Sequence, residues 1–242
     1  MRHSRSIARN KISFGYYILS YSYHYDSCMN KQSFDYIRFK AISIMNENIL
    51  LGLFGITDIM DLPAAVNRLL FSDKEKRDAV YRSLIELNEY DMSYDWFQTI
   101  YEKEMAQRKK NKQDFTPREV TTIVSRITLC GTCGSIHEPT AGTGSLVISA
   151  WWERCRRVLP WEYFPSENMV TCWELSDRAI PLLLLNMSIR GMMGYVYHGD
   201  VLEGRIFQKY ILLNKSDDGL GFSDVFKANP KDTIRRNWQL IK

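Results

Sequence analysis

A seven-residue turn, Glu138-Pro139-Thr140-Ala141-Gly142-Thr143-Gly144, narrows the folds open to this chain more than any other feature. It lies between a short strand expected over residues 135–138 and a helix expected over 145–158. Its two glycines let the backbone turn tightly and approach a ligand, and the helix that follows points its N-terminus at whatever sits there. A bare G-x-G is often only a turn. A position between a strand and a helix is, however, the one a nucleotide site requires. The alternation continues with a strand over 169–173, a helix over 177–190 whose start Pro181 delays or bends, and strands over 195–198 and 224–228. Such alternation specifies an α/β fold with a parallel sheet and helices on its faces.

Acidic residues fall at the ends of the second and third strands. Glu174 lies thirty residues past Gly144, where a carboxylate can accept hydrogen bonds from both hydroxyls of a ribose. Asp200, in Gly199-Asp200-Val201, could accept from an exocyclic amine of an adenine ring, with Val201 packed on the ring. Two acids at successive strand ends carry more weight than one, because those ends converge on one crevice. The last strand runs into Asn229-Pro230-Lys231-Asp232, and an Asn-Pro pair alone is usually just a turn.

Upstream, residues 29–112 read as helical. Leu62, Val66, Leu69 and Leu70 mark one helix with Pro63 in its first turn. Ser72 to Glu75 fits a capping box ahead of Val80, Leu84, Ile85 and Leu87. Ser93 is expected to cap a helix carrying Trp96, Phe97, Ile100, Tyr101 and Met105. The zone ends in Arg108, Lys109, Lys110, Asn111 and Lys112, either a solvated helix end or a set of phosphate contacts. A further helix is expected from Thr116 as N-cap, with Pro117 first, Glu119 closing the box, and Val120, Ile123, Val124 and Ile127 forming one buried face before Gly131.

The remaining composition is that of an ordinary globular chain of 242 residues, 45% hydrophobic and 25% charged. No apolar run reaches the roughly 18 residues of a membrane span. With 32 basic and 28 acidic residues the net charge is +4, which permits a nucleic-acid partner without requiring one. Five cysteines in no secreted-domain spacing point to a reducing, cytoplasmic setting. Cys130 and Cys133 form a C-x-x-C near His137, but a zinc site needs about four ligands, so both read as packing or linker thiols and no metal is expected. His3, His24, His137 and His198 show no ligand spacing. Basic residues before the stretch 12–21 superficially resemble a signal peptide, yet its serines and tyrosines fit poorly. Residues 1–28 read instead as an extension upstream of Met29.

Taken in order, these motifs resemble an S-adenosylmethionine-dependent N6-adenine DNA methyltransferase, and within that class the modification subunit of type I restriction-modification systems. Residues 113–120, with Phe115-Thr116-Pro117, are similar to the segment that lines the family's cofactor site. Glu138 to Gly144 is similar to its (Asp/Glu)-Pro-x-x-Gly-x-Gly cofactor loop, with Gly142 and Gly144 as the two glycines. Glu174 matches the ribose-binding acid, and Asp200 with Val201 the adenine-contacting step. Asn186 and Gly191 match an Asn-x-x-x-x-Gly helix end. The resemblance spans about residues 113–230. It implies a partial Rossmann-like methyltransferase domain over 113–242 behind a helical domain over 29–112, with S-adenosylmethionine as cofactor. The implied partners are DNA, a specificity subunit and other restriction-modification subunits, with no membrane.

Two departures keep a second reading open. The family's catalytic motif is (Asn/Asp)-Pro-Pro-(Tyr/Phe), whereas Asn229-Pro230 is followed by Lys231 and Asp232. An aromatic residue at the last position stacks on a flipped adenine, a contact worth roughly 1–3 kcal/mol, and Asp232 lacks a ring. Only twelve residues follow Pro230, so the rest of the family's sheet is expected to be missing. The alternative is a truncated, inactive relative that binds S-adenosylmethionine or another protein. Arg108, Lys109, Lys110 and Lys112, with Arg235 and Arg236, are the candidate contacts to DNA phosphates.

Overall fold

The computed structural model describes residues 47–102, 116–129 and 131–230. Three helices come first. α1 (Glu47–Phe54) is followed by a 3-10 turn at Ile59–Asp61, then α2 (Leu62–Leu70) and α3 (Lys74–Leu87). α2 carries Pro63 in its first turn, as expected, and buries Leu62, Ala65, Val66, Leu69 and Leu70. α3 is capped one residue later than the sequence pattern predicts. Asp73 accepts the Lys76 N–H at 2.9 Å, because the Ser72 hydroxyl donates backward to Leu69 O at 2.8 Å and closes α2 instead.

The helix expected from Ser93 starts later, at Gln98. Ser93 donates its backbone N–H to Asp91 at 3.0 Å, and Asp95 accepts the Phe97 N–H at 2.9 Å. Residues 91–97 therefore form a strap of side-chain-closed turns, and helical structure begins at Gln98–Ile100 and continues as a wider turn through Tyr101 and Glu102. Met105, the basic run 108–112 and Phe115 lie outside the described residues.

α4 (Arg118–Thr128) starts one residue after the expected position. Pro117 has an extended ψ of 149° and serves as the cap residue, with no side-chain cap from Thr116. The predicted buried face is also corrected. Thr121 and Ser125 are buried, while Val120, Ile123 and Ile127 are exposed at 43%, 56% and 74%. Polar contacts accompany this rotation. Arg126 pairs with Glu153 at 3.1 Å, and the Arg118 guanidinium bonds Ser93 at 3.0 Å and lies 4.7 Å over the Tyr94 ring. Small Thr121 and Ser125 are then the side chains turned inward.

The sheet contains β1 (Ile136–Glu138), β2 (Val170–Glu174), β3 (Gly194–Asp200), β4 (Arg205–Leu213) and β5 (Asp224–Ala228), in the spatial order β1-β2-β3-β4-β5. β1, β2 and β3 pair in parallel and are linked by α5 (Ser145–Cys155) and α6 (Ala179–Ile189), the alternating unit of a Rossmann-like α/β fold. The expectation of a wholly parallel sheet is corrected at β4. This strand was not anticipated, and it pairs antiparallel with both β3 and β5. Its second half, Lys209 to Leu212, is buried on both faces and so lacks the alternation that marks a half-buried strand.

α6 is the centre of the molecule. All eleven of its residues are buried, as befits a helix apolar on every side. Pro181 is tolerated because it falls in the first turn, where its missing N–H has no intrahelical acceptor. Toward the sheet, Met187 Sδ lies 4.0 Å from Cys172 Sγ. Residues of α1, α2 and α3 join the same continuous core. Among the described residues no single helix is long and apolar enough to cross a membrane.

One ion pair ties the helical layer to the last strand. Buried Arg77 on α3 bonds Asp224 at the start of β5 at 2.7 Å. Burial works against the Asp224 carboxylate, but the hydrogen bond and charge of Arg77, helped by Lys215, more than offset it and hold its pKa below the ordinary 3.8. A depressed carboxylate pKa stabilises the fold above the unfolded value and loses that effect as pH falls through the folded one. Asp224→Asn is therefore expected to cost about 1–3 kcal/mol near neutral pH. In chemical denaturation the gap from the parent chain should stay constant down to about pH 5 and close below about pH 4.

Candidate functional site

The carboxyl ends of β1, β2 and β3 converge on the Glu138–Gly144 turn. Glu138 closes its start by accepting the Thr140 N–H at 3.0 Å and the Thr140 hydroxyl at 3.2 Å. Ala141 N–H reaches Trp173 O on β2 at 2.9 Å, and Gly144 N–H returns to Ala141 O at 2.9 Å. Gly142 and Gly144 both take positive φ, 56° and 108°, a region that disfavours side chains. A Cβ on Gly144 would also meet Leu183 Cδ1 of α6 at 3.0 Å.

Glu174 is the second element of the site. Its Oε2 accepts the Gly142 N–H at 2.7 Å and its Oε1 accepts the Ser176 N–H at 2.7 Å. It is largely buried. Burial pushes its pKa up, opposed by the backbone N–H groups of Ser176 and Gly142. Each carboxylate oxygen keeps further lone-pair capacity, so the group fixes the loop and can still accept from a ligand.

The sequence reading missed the third element, Asp95 on the strap. Its carboxylate is buried and accepts from four groups. Oδ1 receives the Phe97 N–H and, at 2.8 Å, Asn186 Nδ2; Oδ2 receives the hydroxyls of Thr143 and, at 3.0 Å, Ser145. Asn186 also donates to Thr143 O at 2.8 Å. Burial pushes the Asp95 pKa up, while the bonds from Thr143, Phe97 and Asn186 and the charge of Arg190 oppose it. Asp95 sits against the first turn of α5, so the partial positive charge there faces a protein carboxylate rather than being left for a ligand phosphate. One sequence signal was available: an acid embedded in Tyr94-Asp95-Trp96-Phe97, in an otherwise aromatic run, since charged residues are rarely buried unless paired.

Gln98 connects the strap to the segment before α4. Its Nε2 donates to Thr116 O at 3.2 Å, and its Oε1 accepts from the Ser145 hydroxyl at 2.9 Å. Thr116 and Pro117 are thereby held one side chain away from the glycine turn. Tyr101 OH lies 2.7 Å from Ser176 Oγ, next to the Glu174 loop.

Other expected residues take different places. Asp200 is at the same sheet end as Glu174, one strand over, but its Oδ1 accepts the N–H groups of Leu202 and Glu203 at 3.0 and 3.1 Å. It thus organises the β3–β4 hairpin turn, which includes Val201. Asn229 and Pro230 follow β5. That strand runs in the same direction as β2 and β3, but three strands separate it from β1, a distance of roughly 19 Å at ordinary strand spacing. The fold therefore gathers Thr116, Pro117, Glu138, Gly142, Gly144 and Glu174, with Asp200 at the rim, and leaves Asn229-Pro230 apart. Asn214, also unanticipated, is buried at the end of β4 and donates to Asp218 O at 2.7 Å and Gly191 O at 3.2 Å, ordering the polar loop before β5. Cys130 lies outside the described residues, and Cys133 is exposed. Among the described residues no group of three or more His, Cys, Asp or Glu side chains is placed to hold a metal ion.

A model of the N-6 DNA Methylase family matches residues 92–231. The chain belongs to the N-6 DNA methylase family. The match begins within the strap and ends just past Pro230, so Asp95 falls inside the family's own stretch, alongside the glycine turn and Glu174. Among solved structures, this methylase-family chain is similar to a type I restriction-modification system methyltransferase subunit from Streptococcus thermophilus. Identity is 18%, the TM-score is 0.33, and the match covers 68% of this chain and 39% of that one. The chain thus spans about two fifths of that subunit. No match was found among curated proteins.

The glycine turn offers a direct check. Gly144→Ala combines a φ of 108° with the Leu183 contact. It is expected to destabilise the protein by about 1–3 kcal/mol, read as a lower midpoint in thermal unfolding.

Proposed function

We propose that this chain binds S-adenosylmethionine at the carboxyl ends of β1, β2 and β3 and forms the cofactor-binding portion of an enzyme that methylates adenine N6 in DNA. The observation that carries the reading is the pairing of Glu174 with Gly142, which places a buried carboxylate and a glycine turn in one crevice. The chemistry of the donors fits the cofactor. The anion position at the start of α5 is taken by Asp95, so the site favours a molecule without a phosphate there. S-adenosylmethionine has none, and when bound it supplies an electrophilic methyl group on a sulfonium sulfur.

In this reading Glu174 would accept from the ribose hydroxyls with the lone pairs left free by Gly142 and Ser176. Gly142 and Gly144 would let the backbone approach the ligand, and Phe115, Thr116 and Pro117 would close the site from the α4 side. Asp200 and Val201 would meet the adenine ring at the rim of the crevice. On the DNA side, the Asn229 side-chain oxygen would accept a hydrogen bond from the N6 amine of an adenine turned out of the duplex. Arg108, Lys109, Lys110 and Lys112 would contact phosphates, in a salt-dependent and sequence-independent manner. The proposed setting is a cytoplasmic restriction-modification system of type I, in which a specificity subunit selects the DNA sequence. The proposed organisation is an extension over 1–28, a helical domain over 29–112 and a partial methyltransferase domain over 113–242.

The second reading, binding without turnover, is favoured by the three strands between β1 and Asn229 and by Lys231 and Asp232 in the catalytic motif. One pair of measurements separates the two. Titration calorimetry of the full chain with S-adenosylmethionine should give saturable one-to-one binding, weakened roughly tenfold or more by Glu174→Ala. Transfer of a labelled methyl group to DNA should be absent for the chain alone and appear only with partner subunits. Failure of the parent chain to bind S-adenosylmethionine overturns the proposal. Binding with no transfer under any combination of subunits selects the second reading.

A further inference from the structure

Three features meet on Asp95. It lies 48 residues before Thr143 and 91 before Asn186, yet touches both, so a segment outside the strand-helix unit reaches into its glycine turn. The strap that carries it is clamped on two sides. Arg190 donates to Met92 O at 3.0 Å and Tyr94 O at 2.6 Å and lies 4.7 Å over the Trp96 ring, while Arg118 holds Ser93 and Tyr94 from α4. The two hydroxyls on Asp95 Oδ2 flank Gly144: Thr143 precedes it and Ser145 opens α5. Gly142, whose N–H meets Glu174, is the residue before Thr143.

We propose that Asp95 is a positioning residue for the cofactor loop: held by the strap, its carboxylate pins Thr143 and Ser145 and so keeps the Gly142 N–H on Glu174 in the geometry that admits the cofactor. The inference rests on the S-adenosylmethionine reading for its ligand but not for its geometry. The loop's backbone is held at Ala141 by Trp173 O, at Gly142 by Glu174 and at Thr143 O by Asn186, and its side chains by Asp95. Between Ala141 and the first turn of α5, the side chains that can be held from outside are those of Thr143 and Ser145, and both are held by Asp95. Ser145 shares its single hydroxyl proton between Asp95 and Gln98, whose amide is in turn fixed on Thr116. A carboxylate here suits all four donors, because it is acceptor-only. An amide can satisfy the same set by turning its oxygen to Phe97 and Asn186 and donating its NH2 to the two hydroxyls, which also accept.

That difference supplies the test. The parent chain, Asp95→Ala, Asp95→Asn and Leu84→Ala, a core truncation on α3 away from the turn, are compared in titration calorimetry with S-adenosylmethionine and in hydrogen exchange of peptides covering 140–146. Asp95→Ala is expected to weaken binding tenfold or more and to speed exchange of 140–146 by a similar factor. Asp95→Asn should retain most of the affinity and protection. Leu84→Ala should lower the melting temperature while leaving exchange of 140–146 close to that of the parent below the transition. The proposal is overturned if Asp95→Ala loosens 140–146 no more than Leu84→Ala does, or if Asp95→Asn is as impaired as Asp95→Ala. If the parent chain does not bind S-adenosylmethionine, the functional reading fails, and the exchange comparison alone decides the role of Asp95.

Discussion

The structure depends on one helix having no side left for water. Because α6 is buried all round, each polar group on it needs a partner in the protein, and each partner comes from a different element. Asn186 takes Asp95 and the glycine turn. Ser188 takes Tyr81 from α3 at 2.9 Å and the backbone ahead of β5. Arg190 takes the strap. Burial pulls the Arg190 pKa down to about 10, with Asp95 and Asp91 acting in the other direction, so it remains charged near neutrality. The need to satisfy two groups on one buried helix and the arginine that ends it thus joins the helical layer, the site and the sheet edge.

The parts of the site legible in the sequence were the local ones. The glycine turn and Glu174 announce themselves through spacing, because a strand, a turn and a helix in succession fix where their ends lie. Asp95 has no such signature, since its contacts cross 48 and 91 residues. Asp200 illustrates the reverse: its position at a strand end was legible, but its immediate task was not. The hairpin it organises leads into β4, and β4 escapes the sequence pattern because its second half is buried on both faces.

α4 teaches a narrower lesson. Periodicity identifies an amphipathic helix correctly but assigns the wrong face to the interior. The wider apolar stripe of Val120, Ile123 and Ile127 is the exposed one. The ends of the helix are held by Arg126 on Glu153 and Arg118 on the strap. The opposite face holds small residues that allow close helix packing, Thr121 and Ser125.

The strap carries a consequence for the order in which the molecule is made. Its clamps come from Asn186 and Arg190, 91 to 98 residues further along the chain. During synthesis the glycine turn emerges well before those residues exist, so it spends that interval without the contacts that shape it. Contacts of such long sequence separation close late and slow folding. The crevice at the glycine turn is therefore a product of global folding rather than a preformed local motif, since its shape depends on the strap and α6 having come together.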